Sequence, residues 1–257
     1  MQASSPGRVP ESERSVSRDK QVAVMRTRRF NAQSLSLAVV SGILGLAGCR
    51  ATPARRNLPP LPPQPVVLII GDSISMDRSG YFSKLTELSG ERYRVVHNPR
   101  NGGDSGNVLA HLEEWVASAA PDIIHFNCGL HDIKFDRKTR THQQAADVYE
   151  HNLRSIVAYL KANTRARLVF ALTTPVNEAW HHANKPFDRR ERDVRTYNAI
   201  ARRVMAEHGI PVNDLYQVIA DAGPDTCLVR DGVHMNARGN ALLAPAVARA
   251  IEELAGR

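Results

Sequence analysis

The sequence predicts an α/β protein in which helices cover both faces of a five-stranded parallel sheet, giving three layers. Residues 66–70 read Val-Val-Leu-Ile-Ile, a run that is apolar throughout and mostly β-branched, as in strands buried on both faces. From there to the C-terminus, short apolar runs alternate with helical patterns, which indicates βαβ units. We expect the flavodoxin-like strand order 2-1-3-4-5, with a switch point between strands one and three.

Each predicted element has its own signal along the chain. Gly90 and Pro121 end the first two helices, and Leu153, Ile156 and Leu160 recur near the helical period in the third. The predicted strands are residues 66–70, 93–97, 122–126, 167–172 and 210–215. The predicted helices are residues 81–88, 108–119, 143–163, 189–207 and 236–254, the fourth with a charged start at 189–192.

The basic charge of the chain is concentrated at its N-terminus. The formal net charge is +8, but residues 1–65 hold ten Lys and Arg against three acids, which leaves the remainder near neutral at +1. A nucleic-acid-binding domain would carry its basic patch on the folded part. The composition therefore gives no sign of a nucleic-acid partner.

The N-terminal segment divides into three parts before the main domain begins. Residues 1–24 are polar and charged without an apolar period, which predicts a disordered extension. Residues 25–48 begin with a basic stretch and continue into an apolar stretch too short for a comfortable membrane span. Residues 49–65 are rich in Pro and Arg and predict an extended tether. The main domain is then expected to cover residues 66–257.

Leu46-Ala47-Gly48-Cys49 resembles the lipobox of bacterial lipoproteins. The resemblance implies cleavage before Cys49, acylation of that residue and stable anchoring to a lipid bilayer. It also implies the periplasmic side of a bacterial cell envelope. Arg50 is not the Asp that retains many lipoproteins at the inner membrane, so we expect the outer membrane. Alternatives are a buried apolar helix with an incidental Cys and, for the extension, a true start at Met25.

Ser73 follows the first predicted strand at the point where open α/β sheets keep their reactive groups. A serine hydroxyl becomes nucleophilic when a histidine takes its proton, and a carboxylate commonly fixes that histidine. Asp231 and His234 offer both groups in a loop before the last helix. We therefore expect Ser73, Asp231 and His234 to form a catalytic triad. Helix capping is the alternative role for Ser73 and for His234.

The negative oxygen that forms during such an attack needs hydrogen-bond donors. The backbone N–H groups of Ser73 and Gly103 are two candidates, because Gly103 lies in a glycine-rich loop that permits close approach. A side-chain donor is expected from the end of the third strand, where residues 127–132 read Asn-Cys-Gly-Leu-His-Asp.

Four ordered blocks in this chain resemble the SGNH (GDSL-type) hydrolase family. They are Gly71-Asp72-Ser73, Gly102-Gly103-Asp104, Gly129-Leu130-His131-Asp132 and Asp231-Gly232-Val233-His234. The resemblance spans about residues 66–254 and implies a three-layer fold, ester hydrolysis through an acyl-serine, and no metal or other cofactor.

One block departs from the family pattern. The third block normally reads Gly-x-Asn-Asp, with the Asn amide in the oxyanion hole, and here that position is His131. An imidazole N–H can also donate, so we expect His131 to replace the amide. A purely structural role for His131 is the alternative, and Asn127 could supply an amide instead, although satisfying local backbone is the simpler role for it.

The loop after the fourth strand carries Trp180, His181 and His182. It is a candidate for substrate contact, through Trp180 and His181, because it leaves the same edge of the sheet, and Asn127 at the end of the third strand is a further candidate. A metal site on the two histidines is a less favoured alternative. Cys128 and Cys227 are either bridged or, more simply, two separate buried thiols.

These observations predict a membrane-anchored serine esterase. Low aromatic content (5%) and the lack of a long apolar lid segment favour a short acyl ester, such as an O-acetyl group on carbohydrate, as the substrate. One alternative is a lipase or lysophospholipase with an apolar groove beside Ser73. Another is a carbohydrate-binding lipoprotein that is catalytically weak because of the change at His131.

Overall fold

The computed structural model describes residues 58–76 and 80–256. The predicted extension, signal peptide and acylated Cys49, together with most of the tether, therefore lie outside the described residues. Among the described residues, no helix has the length and apolar character that a membrane span needs.

Five strands form one parallel sheet in the order β2-β1-β3-β5-β7. This is the predicted flavodoxin-like order, because two short strands elsewhere take the labels β4 and β6. Val67 on β1 pairs with Val95 on one side and Ile123 on the other. The five strands are β1 (Val66–Ile70), β2 (Arg94–His97), β3 (Ile123–Phe126), β5 (Arg167–Ala171) and β7 (Val212–Asn213).

Two groups of helices pack around this sheet. The first and last helices contact each other, while the second, third and fifth form a separate packed group. The helices are α1 (Phe82–Ser89), α2 (Ser105–Ala119), α3 (Ala146–Asn163), α4 (Glu178–Asn184), α5 (Glu191–Glu207), α6 (Leu215–Ala222), α7 (Pro224–Cys227) and α8 (Ala237–Ala255). Burial of β1 and β3 is almost complete, as the apolar runs predict.

Several predicted boundaries were wrong, and side-chain caps explain two of them. Helix α2 begins at Ser105, three residues early, because Asp104 caps it by accepting the Asn107 N–H. The last predicted strand extended to residue 215, but Asp214 caps a helix that starts there. The helix predicted from residue 189 begins at Glu191, and Arg189 before it is only 7% exposed.

A two-stranded antiparallel sheet was not predicted. It pairs β4 (Phe135–Asp136) with β6 (Phe187–Asp188). Each strand has two residues, which is too short for a periodic pattern in the sequence. The histidines predicted to lie in a loop are on α4, which immediately precedes β6.

Cys128 and Cys227 are separate, buried thiols. This settles the open alternative against a bridge between them. Burial raises the pKa of the Cys128 thiol well above its usual value, and nearby carboxylates act in the same direction. The thiol is therefore a packing group and not a reactive thiolate.

Candidate active site

The turn that carries Ser73 is held by two neighbouring loops. The Gly71 N–H donates to the Asn98 side-chain oxygen at 2.9 Å, and the Gly71 carbonyl accepts from the Gly102 N–H at the same distance. A Cβ at Gly102 would lie 2.7 Å from that carbonyl oxygen, so only glycine allows the approach. The glycine-rich loop is thereby fixed against the serine turn. Asn98 was not predicted as part of the site, and no sequence pattern identified it.

Ser73, His234 and Asp231 form one hydrogen-bonded chain. The His234 Nε2 lies 2.8 Å from the Ser73 Oγ, and the Nδ1 lies 2.5 Å from the Asp231 Oδ2. The structure thus brings together three residues separated by up to 161 positions. In this arrangement Nδ1–H donates to the carboxylate, which leaves Nε2 free to accept the serine proton.

The Asp231 carboxylate is held in its ionised form. Partial burial would raise its pKa, but hydrogen bonds from the His234 ring and from the His234 and Val233 N–H groups outweigh burial and lower the pKa. The two backbone bonds to Oδ1 measure 2.9 and 3.0 Å. The carboxylate is therefore fixed in orientation and charge at the same time.

The loop that carries Asp231 is braced by the segment around α4. The Gly232 carbonyl accepts from the Asn177 N–H at 2.8 Å, and the His181 Nδ1 lies 3.1 Å from the Asp231 carbonyl oxygen. Gly232 has a φ of +76°, and a Cβ there would lie 2.4 Å from the Asn177 carbonyl oxygen. Any side chain at this position would force the Asp231 loop to move.

Gly103, the expected oxyanion donor, lies in a loop that side-chain hydrogen bonds hold in place. Its N–H donates to the Asn101 side-chain oxygen at 2.9 Å. The start of α2 is fixed by Asp132, which accepts from the Ser105 N–H at 3.0 Å and from the Ser105 Oγ at 2.5 Å. Burial raises the pKa of Asp132 to about 6 in spite of these hydrogen bonds. The sequence identified Asp132 only as a member of the Gly129-Leu130-His131-Asp132 block. It did not predict that Asp132 joins the loop after β3 to the start of α2.

His131 lies beside Asp72, the residue before the serine. The His131 Nε2 is 3.8 Å from the Asp72 Oδ2, and the ring is 28% exposed. Burial lowers the pKa of His131, while the Asp72 charge acts in the opposite direction. The imidazole is thus placed next to the turn that carries Ser73, beside the Asp72 carboxylate.

Arg189 supports the same loop from the small sheet. Its Nε–H donates to the Leu130 carbonyl at 2.7 Å, and its guanidinium lies 5.3 Å from the centre of the Phe187 ring. Burial lowers the pKa of Arg189, and Asp72 and Asp231 oppose that shift. The prediction that the helix starts at Arg189 was wrong, because α5 begins at Glu191 and the Arg189 side chain is buried against the loop before it.

The other residues predicted near the site have local roles. The Asn127 amide donates to the Ala171 carbonyl at 2.7 Å, which is the structural role expected for it. His181 is 1% exposed and edge-on to the Phe187 ring, so it lies behind Asp231 and not at a substrate surface. The half-buried Trp180 ring packs under the Arg230 guanidinium at 4.3 Å.

Two spaces adjoin these residues. A cavity of about 20 Å³ is lined by Asp72, Asn127, Leu130 and Thr173 among others, and it has room for about one water-sized group. A groove of about 420 Å³ follows Asn177 and is lined largely by polar side chains. Within residues 58–76 and 80–256, no group of three His, Cys, Asp or Glu residues has an arrangement that could hold a metal ion.

Comparison with known sequences finds matches to GDSL-type lipases and acylhydrolases. The profile of the GDSL-like Lipase/Acylhydrolase family matches residues 69–242. A GDSL esterase/lipase of Arabidopsis thaliana is 24% identical over 208 residues, which cover 75% of this chain and 80% of the plant protein.

Solved structures share the fold at low sequence identity. The lipase/acylhydrolase from Enterococcus faecalis superposes with a TM-score of 0.64 at 19% identity, covering 74% of this chain and 96% of its own. The acetyl xylan esterase AlAXEase gives 0.60 at 20% identity, with 72% and 99% covered. A variant of the acetyl xylan esterase Axe2 from Geobacillus stearothermophilus gives 0.61 at 22% identity, with 74% and 96% covered.

Proposed function

Since this chain belongs to the GDSL-like lipase/acylhydrolase family of ester hydrolases, we propose that it removes short acyl groups, such as O-acetyl, from carbohydrate through an acyl intermediate on Ser73. The observation that carries this proposal is the unbroken hydrogen-bonded chain from the Ser73 Oγ through His234 to Asp231, at 2.8 and 2.5 Å.

Acylation begins when the His234 Nε2 takes the Ser73 proton as the Oγ attacks the ester carbonyl carbon. The carbonyl π electrons move onto its oxygen, and a tetrahedral intermediate forms. When the intermediate collapses, the bond between the carbonyl carbon and the alcohol oxygen breaks. The alcohol leaves with the proton from His234, and the acyl group remains on Ser73. The Asp231 carboxylate stabilises the imidazolium that exists between the two proton transfers.

Deacylation repeats the same chemistry with water. His234 takes a proton from a water molecule, whose oxygen attacks the acyl carbon. The bond to the Ser73 Oγ then breaks, and the Oγ recovers a proton from His234. In both half-reactions we assign the negative oxygen to the N–H groups of Ser73 and Gly103 and to the His131 ring. The two half-reactions consume only the ester and one water molecule, so the protein returns to its starting protonation state.

A short acyl group agrees with the space beside the serine turn, because the cavity of about 20 Å³ at Asp72 offers no room for a long alkyl chain. The groove beside Asn177 adjoins the Asp231 loop through the hydrogen bond to Gly232, and Glu178, Tyr216 and Asp225 line it with hydrogen-bonding atoms that suit a hydroxyl-rich alcohol. Two of the structural relatives are acetyl xylan esterases, which agrees with this substrate class. The lipase alternative requires an apolar groove for the acyl chain.

We further propose that the mature protein is anchored by acyl chains on Cys49, on the periplasmic side of a bacterial outer membrane. The support is the lipobox-like stretch ending at Cys49 and the Arg at position 50. Labelled palmitate should be incorporated into the wild-type protein and not into Cys49→Ala, and membrane fractionation should locate the labelled protein. Equal labelling of the two proteins would contradict the anchor while leaving the esterase proposal intact.

A chain-length series of 4-nitrophenyl esters tests the enzymatic proposal. We expect kcat/KM to be highest for acetate and to fall steadily to decanoate. Ser73→Ala should reduce kcat by on the order of 10⁶-fold, because the remaining groups act as a unit with the serine. Release of acetate from acetylated xylan, compared with the deacetylated polymer as blank, tests the carbohydrate class.

The outcomes separate the alternatives. A preference for decanoate would replace the acetyl esterase with a lipase. Binding of xylan without Ser73-dependent turnover of any ester would replace the enzyme with a carbohydrate-binding protein.

A further inference from the structure

Asp72, the residue before Ser73, is a buried carboxylate. One of its oxygens accepts a hydrogen bond, and the other does not within the described part of the chain. The residue is 3% exposed. Its Oδ1 accepts the Ile74 N–H at 2.9 Å, whereas Oδ2 is inaccessible to solvent and has no hydrogen-bond donor within reach among the described residues. A buried ionised oxygen is costly unless a positive or donating group faces it.

His131 is the group that faces this oxygen. Its Nε2 lies 3.8 Å from the Asp72 Oδ2. A hydrogen bond between these atoms needs about 2.7–3.2 Å, so the ring has to move by less than about 1 Å. Contacts in a catalytic site commonly tighten by such amounts when substrate binds. The pair is therefore poised to close without rearrangement of the backbone.

The charge of the pair decides whether it helps the reaction. If the His131 ring is neutral and Asp72 is ionised, the pair carries one negative charge next to the developing oxyanion and opposes it. If the ring is protonated, the pair is neutral and both ring nitrogens carry a hydrogen. One N–H then donates a hydrogen bond to the Asp72 carboxylate, and the other can donate to the substrate oxygen. A neutral ring has a single N–H and cannot donate to the carboxylate and the substrate oxygen at the same time.

We propose that Asp72 and His131 form a second Asp–His pair in the site, in which the Asp72 Oδ2 accepts from Nε2–H while Nδ1–H donates to the oxyanion. Asp72 is a positioning residue in this scheme, because it acts on the substrate only through the ring. The inference rests on the proposed function. The scheme also separates His131 from the amide that it replaces: an asparagine donates without an added proton, whereas the histidine donates to both partners only when a proton is added.

The scheme gives activity a distinctive dependence on pH. The charged groups around the ring are Asp72, Asp104, Arg189 and Lys134. Burial lowers the pKa of His131, the two carboxylates raise it, and the two cations lower it further. The protonated ring therefore predominates only at pH values below its lowered pKa. As pH rises through that value the pair acquires its negative charge, and kcat should fall.

A double-mutant cycle on 4-nitrophenyl acetate hydrolysis, followed as kcat against pH, tests the pair. We expect the wild type to lose activity on the alkaline side, and His131→Asn to remove that decline because an amide does not titrate. Asp72→Asn, which keeps an oxygen for the Ile74 N–H, should move the decline to lower pH and reduce kcat about tenfold or more. In the His131→Asn background, the same change should cost less than about twofold. Asp221→Asn, on the exposed side of α6, controls for loss of a carboxylate.

Two kinetic results would overturn the inference. One is an equal effect of Asp72→Asn in both backgrounds, and the other is an unchanged alkaline decline in His131→Asn. If the wild type showed no Ser73-dependent turnover at all, the proposed function itself would be wrong. Failure of the Asp72–His131 inference can therefore be told apart from failure of the proposed function.

Nitrogen-15 NMR of the imidazole rings in Ser73→Ala provides a second measurement that does not depend on how Asp72→Asn folds. We expect the neutral His131 ring to carry its hydrogen on Nε2, facing Asp72, and the second hydrogen to add to Nδ1 as pH falls. A neutral ring with its hydrogen on Nδ1 would contradict the proposed hydrogen bond.

Discussion

The two sides of Ser73 differ in how completely their hydrogen bonds are made. On the base side, Ser73, His234 and Asp231 are joined at 2.8 and 2.5 Å, and two backbone N–H groups fix the carboxylate. On the side assigned to the oxyanion, the Gly103 N–H is already bonded to Asn101, and His131 stands 3.8 Å from its carboxylate.

The groups proposed to move the proton are therefore in place before substrate binds, whereas the groups proposed to stabilise the negative oxygen still have to rearrange. The base side contributes its full effect at once. On the other side, the Gly103 N–H has to leave Asn101, and the His131 ring has to close its distance to Asp72. Changes on the base side should therefore have the largest effects on rate, and changes on the oxyanion side should have smaller ones, in either direction.

Asp231→Asn should give the largest loss among changes that keep Ser73 and His234. The amide presents an N–H or an oxygen to Nδ1 with no net charge, so the ring loses its preferred tautomer and the imidazolium loses its counter-charge. We expect kcat to fall by on the order of 10⁴-fold with KM nearly unchanged. Steady-state kinetics on 4-nitrophenyl acetate measure this. A loss below tenfold would mean that the observed hydrogen bond does not operate in turnover.

Asp132→Asn tests how firmly the oxyanion side is anchored. The folded-state pKa of Asp132 is raised to about 6 from the 3.8 that is usual for Asp, so its protonated form is favoured by folding. Its contribution to stability is fully present below about pH 4 and is lost as pH rises through about 6. The free energy of unfolding of the wild type, relative to Asp132→Asn, should fall by up to about 3 kcal/mol between those values. Urea unfolding at pH 4, 5, 6 and 7 measures it, and a difference that rises with pH would contradict the assignment.

Asn101→Ala should have the smallest effect and the opposite sign. The Gly103 N–H would lose the acceptor that competes with the oxyanion, so we expect kcat to rise by up to about tenfold, the value of one hydrogen bond. Asn101→Asp, which keeps an acceptor at the same place, is the matched control and should not show the rise. A fall in kcat for Asn101→Ala would mean that this hydrogen bond orders the loop for catalysis and does not compete with it.

Much of the architecture could be predicted from local pattern. The β-branched run at residues 66–70 and the alternation that follows it predicted the sheet and its strand order, which the structure confirms. The four blocks predicted which residues should meet, and Ser73, Asp231 and His234 do meet. These features succeed because burial on both faces and tight turns impose residue types at short range.

Other features escaped prediction because they depend on contacts between distant segments. Arg189 reads as a charged helix start, yet it reaches the Leu130 carbonyl 59 positions away. The pairing of β4 with β6 involves two residues on each side, below the length at which a period can be seen. His181 looked available to substrate because its segment leaves the same edge of the sheet as Ser73, yet its ring is enclosed by Asp231 and Phe187.

Local sequence pattern was enough to predict the order of the strands, the glycines that the turns require and the three residues of the hydrogen-bonded chain at Ser73. Their signals are local, because each is set by backbone conformation or by burial of a whole element. The positions of His131 opposite Asp72 and of Arg189 behind that loop, by contrast, depend on the folded structure. Which way a side chain points between two loops depends on how separate elements pack. That packing places His131 beside the Asp72 carboxylate, in the turn that follows the first strand and carries Ser73.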